Sequence, residues 1–141
     1  MYIDIAKTIS QHNNTCPSRQ IGVVIVNPKT NSLISTGYNG PPANTPHVDT
    51  KAYLRALCST GCLTEHDKDR LSHIYGNLDE AFTQLRDGHI CVRRALDVPS
   101  GQRLDLCSCA HAEENAIVNA AKNGTPTNDC WMICWCGTPC I

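Results

Sequence analysis

Aromatic side chains are scarce in this chain, at 5% of residues, and the net charge is only −1. A nucleic-acid surface is built from a basic stripe and stacking rings. Here Lys and Arg are scattered, so nucleic acid is not an expected partner. No apolar run approaches the ~20 residues of a membrane span. Asp4 and Lys7 interrupt any apolar segment at the N-terminus, so a secretion signal is not expected either. Internal repeats, low-complexity tracts and a dividing linker are also lacking. What remains is one domain over 1–141, expected in the cytoplasm and acting on a small molecule.

Cysteine, by contrast, is abundant, with ten in 141 residues. Without a secretion signal, metal ligation is favoured over disulfides. Cys130, Cys134 and Cys136 fall in or beside an apolar run and are expected to be small buried hydrophobes.

Tyr2, Ile5, Ala6 and Ile9 recur at helical spacing, which predicts an amphipathic helix over 2–11. Residues 20–27 are mostly β-branched and apolar, a buried strand. Asn27-Pro28-Lys29-Thr30-Asn31 is turn chemistry, and Leu33–Tyr38 returns as the second arm of a hairpin. A long insertion at about 41–108 begins rich in Pro, Thr and Gly and carries Cys58 and Cys62. Within it, Asn77 and Glu80 form a capping pair for a helix with Leu78, Ala81, Phe82 and Leu85 on one side, ending at Gly88. Residues 95–107 read as irregular. A further helix starts at His111, lined by Ala112, Ala116, Ile117, Ala120 and Ala121, with Gly124 at its C-terminal cap. Trp131–Cys136 is a third strand. The order is that of a layered α/β domain.

The chemistry concentrates at His111-Ala112-Glu113. A hydrolytic zinc site needs three protein ligands and an open position for water. His111, on the first turn of a helix, projects towards a metal at the helix end. Glu113 reaches the same neighbourhood as a proton carrier, its charge favoured by the helix N-terminus. Pro139-Cys140 offers a second ligand, since proline suits a helix start and a thiol there has a lowered pKa. His-Ala-Glu alone is weak; the string His111-Ala112-Glu113-Glu114-Asn115-Ala116-Ile117 is far more specific. The bland alternative is a surface histidine opening an ordinary helix.

These strings, with Cys16-Pro17-Ser18-Arg19-Gln20-Ile21-Gly22, Gly37-Tyr38-Asn39-Gly40-Pro41-Pro42 and Val98-Pro99-Ser100-Gly101, make the chain resemble the deoxycytidylate (dCMP) deaminases of the cytidine-deaminase-like superfamily. The resemblance implies a three-layer α/β/α fold with a mixed sheet. It implies catalytic Zn2+ held by His111 and Cys140, with Glu113 as proton shuttle. Cytosine C4 is attacked by activated water, ammonia leaves, and dUMP is produced for thymidylate synthesis. The Ala112 backbone would hold the base and Asn39 would face the sugar. Arg19 is the candidate for the 5′-phosphate, with a solvated surface role as its alternative. Relatives often carry a second, structural zinc, for which Cys16, Cys91 and Cys107 are candidates and Cys58 with Cys62 a further pair. A cluster of unliganded thiols is the alternative. A homo-hexamer activated by dCTP and inhibited by dTTP is also implied.

The family pattern continues past Pro-Cys with a second cysteine, a helix and usually two strands. These C-terminal elements and the third zinc ligand are expected beyond Ile141. Three explanations are open: a longer chain, a contribution from another chain, or a degenerate relative that binds dCTP or dTTP as a regulatory module. Cys136 and Cys109 are the conceivable substitute ligands.

Overall fold

A computed structural model describes residues 1–11, 16–42, 44–47 and 50–136. The described residues gather into two compact units. One comprises Met1–Pro42 and residues 109–136; the other is the insertion between them.

The first unit is built on a three-stranded sheet of β1 (Ile21–Asn27), β2 (Ser32–Tyr38) and β3 (Trp131–Cys136), in the order β2-β1-β3. Ile21 to Val26 are all buried, so β1 is the centre of the core. Both pairings are antiparallel, and the parallel component of the expected mixed sheet is not among the described strands. The hairpin closes through 28–31, with Asn31 in the left-handed region at φ 53°. Asn27 Oδ1 accepts the Lys29 amide across this turn.

The alternation of β1 sorts its side chains to two faces. Val24 and Val26 join Ala6, Tyr2 and Ile5 of α1 (Tyr2–Ser10), together with Ile133 and Trp135 of β3. Ile21, Val23 and Ile25 join Ala112 and Ala116 of the last helix. That gives a helix on each side of the sheet, the layered α/β arrangement. Both helices lie against glycine. A Cβ on Gly22 would overlap the Ala6 carbonyl, and one on Gly37 would overlap the Ala112 carbonyl and the Ala116 nitrogen.

The insertion holds α2 (Lys51–Ser59), α3 (Glu65–Tyr75), α4 (Leu78–Asp87), α5 (Val92–Ala95) and a 3-10 turn at Leu104–Leu106. α4 begins and ends as the sequence predicts: Asn77 Oδ1 accepts the Glu80 amide at 2.8 Å, and Gly88 caps the end. It packs against α2 and α3, which the sequence reading left out. α2 is capped by Thr50 and buries Tyr53, Leu54 and Leu57. α3 starts on a reciprocal Thr64–Asp67 capping box and stops at Gly76, φ 100°. Asp67 is buried and takes Arg103 Nη2 at 3.1 Å as well as the Thr64 amide at 2.9 Å. Burial alone would raise the Asp67 pKa, but the bonds from Arg103 and Thr64 outweigh it and hold the carboxyl below its ordinary range. Arg103 also donates to the Cys62 carbonyl at 2.9 Å, tying the end of the insertion to its start. Among the described residues, no helix is long and apolar enough to cross a membrane.

Candidate functional site

α6 (Ala112–Lys122) carries the central motif. His111 stands just before it in extended backbone, φ −65° and ψ 150°, and is exposed. Its amide donates to Glu114 Oε2 at 3.3 Å, which closes the helix start. Ala112 is fully buried against β1, and that contact fixes the angle at which α6 meets the sheet. Glu113 is half-buried one position further on. The buried stripe is Ala112, Ala116 and Ala120, four apart. Ile117 and Ala121, expected on that stripe, are exposed, because they sit about 100° round from it. Gly124, at φ 67°, takes its expected place just beyond the helix.

The end of β2 is fastened to the first turn of α6. Asn115 Nδ2 donates to the Tyr38 carbonyl at 2.9 Å and lies 3.4 Å from the Gly40 carbonyl. Gly40 and Ala110 form an isolated antiparallel bridge, with the Ala110 amide on the Gly40 carbonyl at 2.9 Å. Further along the helix, Ser35 Oγ donates to the Ala116 carbonyl at 2.7 Å and Asn119 Nδ2 to the Thr36 carbonyl at 2.8 Å. The Gly37–Gly40 segment is thereby held beside His111 and Glu113.

Asn39 is buried within that segment. Its amide donates to the Ile21 carbonyl at 3.0 Å and its Nδ2 to the Arg19 carbonyl at 3.3 Å. The Cys16 amide in turn donates to the Asn39 carbonyl. Asn39 is therefore tied to Arg19 by its side chain and to Cys16 by its carbonyl. Arg19 itself is half-buried.

β3 brings thiols to the same side of the sheet. Cys134 lies opposite Val23 and Cys136 opposite Ile21, so both share the face on which α6 lies. Both are exposed, which corrects the expectation of buried cysteines; Cys130, packed on the core, is half-buried. Alternation along β3 is satisfied on the α1 side by Ile133 and Trp135, whereas Met132, Cys134 and Cys136 extend past the cover that α6 provides. The Cys134 pKa is raised, first by desolvation and then by the negative charge of Glu113 and Cys136. The Cys134 thiol thus lies within electrostatic reach of the Glu113 carboxylate.

Imidazole, carboxylate and thiol at one helix start are the donor types that zinc takes. His111 fits such a role. Cys140, the expected second ligand, lies outside the described residues. Among those that are described, no three His, Cys, Asp or Glu side chains gather as a metal-binding group. Of the candidates for a second metal, Cys16 is buried in the first unit. Cys91, buried at the start of α5, and Cys107, half-buried after the 3-10 turn, belong to the insertion. Cys58 and Cys62 are both half-buried near the end of α2. Desolvation raises the Cys58 pKa, with Lys68 opposing and Glu65 adding to it. Cys109 is half-buried two positions before His111.

Two residues of this neighbourhood went unmarked in the sequence: Asn115 as the fastener of the loop, and Cys134 as the neighbour of Glu113. Asn115 stands four positions after His111, one helical turn on, and that spacing was the available signal.

Residues 1–141 match the family described as "Cytidine and deoxycytidylate deaminase zinc-binding region". The chain is also similar to a deoxycytidylate deaminase of Schizosaccharomyces pombe, at 25% identity over 141 residues. That alignment covers 99% of this chain, which spans 30% of the length of the relative.

Proposed function

The chain belongs to the cytidine and deoxycytidylate deaminase family, and from that membership we propose that it hydrolyses dCMP to dUMP and ammonia with zinc as cofactor. The observation that carries this reading is the joining of two motifs. His111-Ala112-Glu113 opens α6, and the Gly37–Gly40 segment is bonded to the same helix turn through Asn115 and the Gly40–Ala110 bridge. Zinc, held through His111 and Cys140, would supply the Lewis acid that makes water a nucleophile at neutral pH.

The remaining work falls to side chains of this chain. Glu113 accepts a proton from the attacking water and delivers it to N3 of the cytosine ring, so that C4 becomes tetrahedral. It then helps the amino group leave as ammonia. The buried Ala112 backbone forms the wall against which the base lies, and Asn39 faces the sugar. Arg19 is the candidate partner of the 5′-phosphate, where a guanidinium fork suits the anion. The proposal extends to a homo-hexamer that responds to dCTP and dTTP, working in the cytoplasm.

The test is ammonia release by the purified zinc-loaded protein, followed with a coupled dehydrogenase, on dCMP, CMP, dCTP and cytidine in parallel. Zinc-dependent turnover with dCMP as the best substrate is expected. Absence of ammonia from dCMP with zinc bound overturns the reading. A preference for dCTP keeps the deaminase and replaces the substrate.

A further inference from the structure

We propose that Asn115 is a positioning residue that sets the substrate loop against the proton carrier. The inference rests on the deaminase reading above and adds to it a residue that touches neither base nor metal. Its side chain bonds to the chain on both sides of Asn39: the Tyr38 carbonyl at 2.9 Å and, more loosely, the Gly40 carbonyl at 3.4 Å. The amides of the same segment are occupied elsewhere, that of Asn39 by the Ile21 carbonyl and that of Gly40 by the Ala110 carbonyl. Asn115 therefore takes up the Tyr38 carbonyl that the strand ladder leaves over and shares the Gly40 carbonyl with the Ala110 amide. Glu113 lies two residues before it on the same turn. A group that faces the sugar and a group that moves protons at the base must keep a fixed separation, and small displacements at such sites are costly in rate. Asn115 links the two backbones that carry them.

The structure also contains its own control. Asn119 sits one turn further along α6 and makes a bond of the same kind, Nδ2 to the Thr36 carbonyl at 2.8 Å. If these asparagines only fasten helix to strand, removing either one has the same consequences. If Asn115 positions the loop, the two differ.

The experiment compares Asn115→Asp and Asn119→Leu in the zinc-loaded protein. The aspartate keeps size and suits the first turn of a helix, yet it cannot donate to a carbonyl. Asn115→Ser serves where the charged variant fails to fold. Two readouts are taken: steady-state kinetics with dCMP across pH, and hydrogen exchange of the Asn39 and Gly40 amides without substrate. For N115D we expect kcat/KM lowered about 10-fold with kcat falling as well, an unmoved pH profile, and faster exchange at both amides. N119L is expected to melt earlier with kcat/KM and loop exchange unchanged. Equal effects of the two substitutions on kcat/KM and exchange overturn the proposal, as does an N115D protein with wild-type kcat/KM and exchange. If the wild-type protein releases no ammonia from dCMP, it is the deaminase reading that falls. The exchange comparison then still decides whether Asn115 holds the loop.

Discussion

Replacing Gly37 by alanine puts the contact between β2 and α6 to a direct test. The added Cβ would stand 2.9 Å from the Ala116 Cα and closer still to the Ala112 carbonyl oxygen and the Ala116 nitrogen. Ordinary contact begins near 3.4 Å, and the opposing atoms are backbone, which cannot swing aside. α6 must move off the sheet by about 1 Å, an overpacking that costs roughly 1–3 kcal/mol. The same movement stretches the bonds from Ser35 to Ala116 and from Asn119 to Thr36, each worth about 1 kcal/mol. A total near 3 kcal/mol lowers the melting midpoint by roughly 10 °C in a chain of this size. Since α6 carries His111 and Glu113, turnover by the folded fraction falls as well, by about 100-fold. Gly22→Ala is the comparison, because its Cβ presses on Ala6 and Ser10 of α1, on the opposite face. That variant is expected to melt about as early as Gly37→Ala but to keep its activity below the transition. Thermal unfolding by circular dichroism, with ammonia release measured at 20 °C, separates the two. A Gly37→Ala protein melting within about 2 °C of wild type refutes the close-contact reasoning. Equal loss of turnover in both variants refutes the link between helix placement and site.

Two further predictions concern single carboxylates. Glu113→Gln should lower turnover by about 10²–10⁴-fold while bound zinc, counted by elemental analysis, stays at the wild-type level; substantial retained activity removes Glu113 from the proton path. Asp67 has a folded pKa below its ordinary value, so its contribution is fully present above about pH 4 and is lost as pH falls through the folded value. The insertion should accordingly lose stability as pH falls below about 4. Asp67→Asn, missing about 2 kcal/mol at neutral pH, should lose less in that window. Parallel acid-dependence curves for the two proteins would contradict this.

Most of the first unit could be read from residue order, and the reasons are physical. β1 is a short run of β-branched residues bounded by turn chemistry, which favours a buried strand over a helix, and the Asn-Pro-rich turn fixes its partner. α4 and α6 carry their own punctuation in Asn77, Gly88 and Gly124. α2 carries a stripe of Tyr53, Leu54 and Leu57 that was passed over in a segment opening with turn-forming residues, whereas the signal of α3 is a cap rather than a stripe. α3 buries only Asp67 and Leu71 among eleven residues, so its apolar period is faint, yet Thr64 and Asp67 mark its start. The exposure of Cys134 and Cys136 could not be read from β3 itself, because an alternating strand does not say which of its faces is covered. At the site, the helix start placed His111 and Glu113. Asn115 bonds to carbonyls, which every residue owns, and so its partners leave no trace in the sequence.

The asparagines of α6 have a consequence for how this sheet can grow. Asn39, on the far side of the hairpin from the turn, donates inward to β1, so by alternation the carbonyls of Tyr38 and Thr36 point away from the sheet. These are the acceptors that an incoming strand would need, and Asn115 and Asn119 already occupy them. Two strand residues advance about 6.8 Å and four helical residues about 6 Å, so side chains one turn apart keep step with every second carbonyl. Two acceptors on the β2 edge are thereby taken, which works against edge-to-edge pairing there, the route by which open sheets aggregate. The opposite margin, along β3, has no such helix asparagines among the described residues.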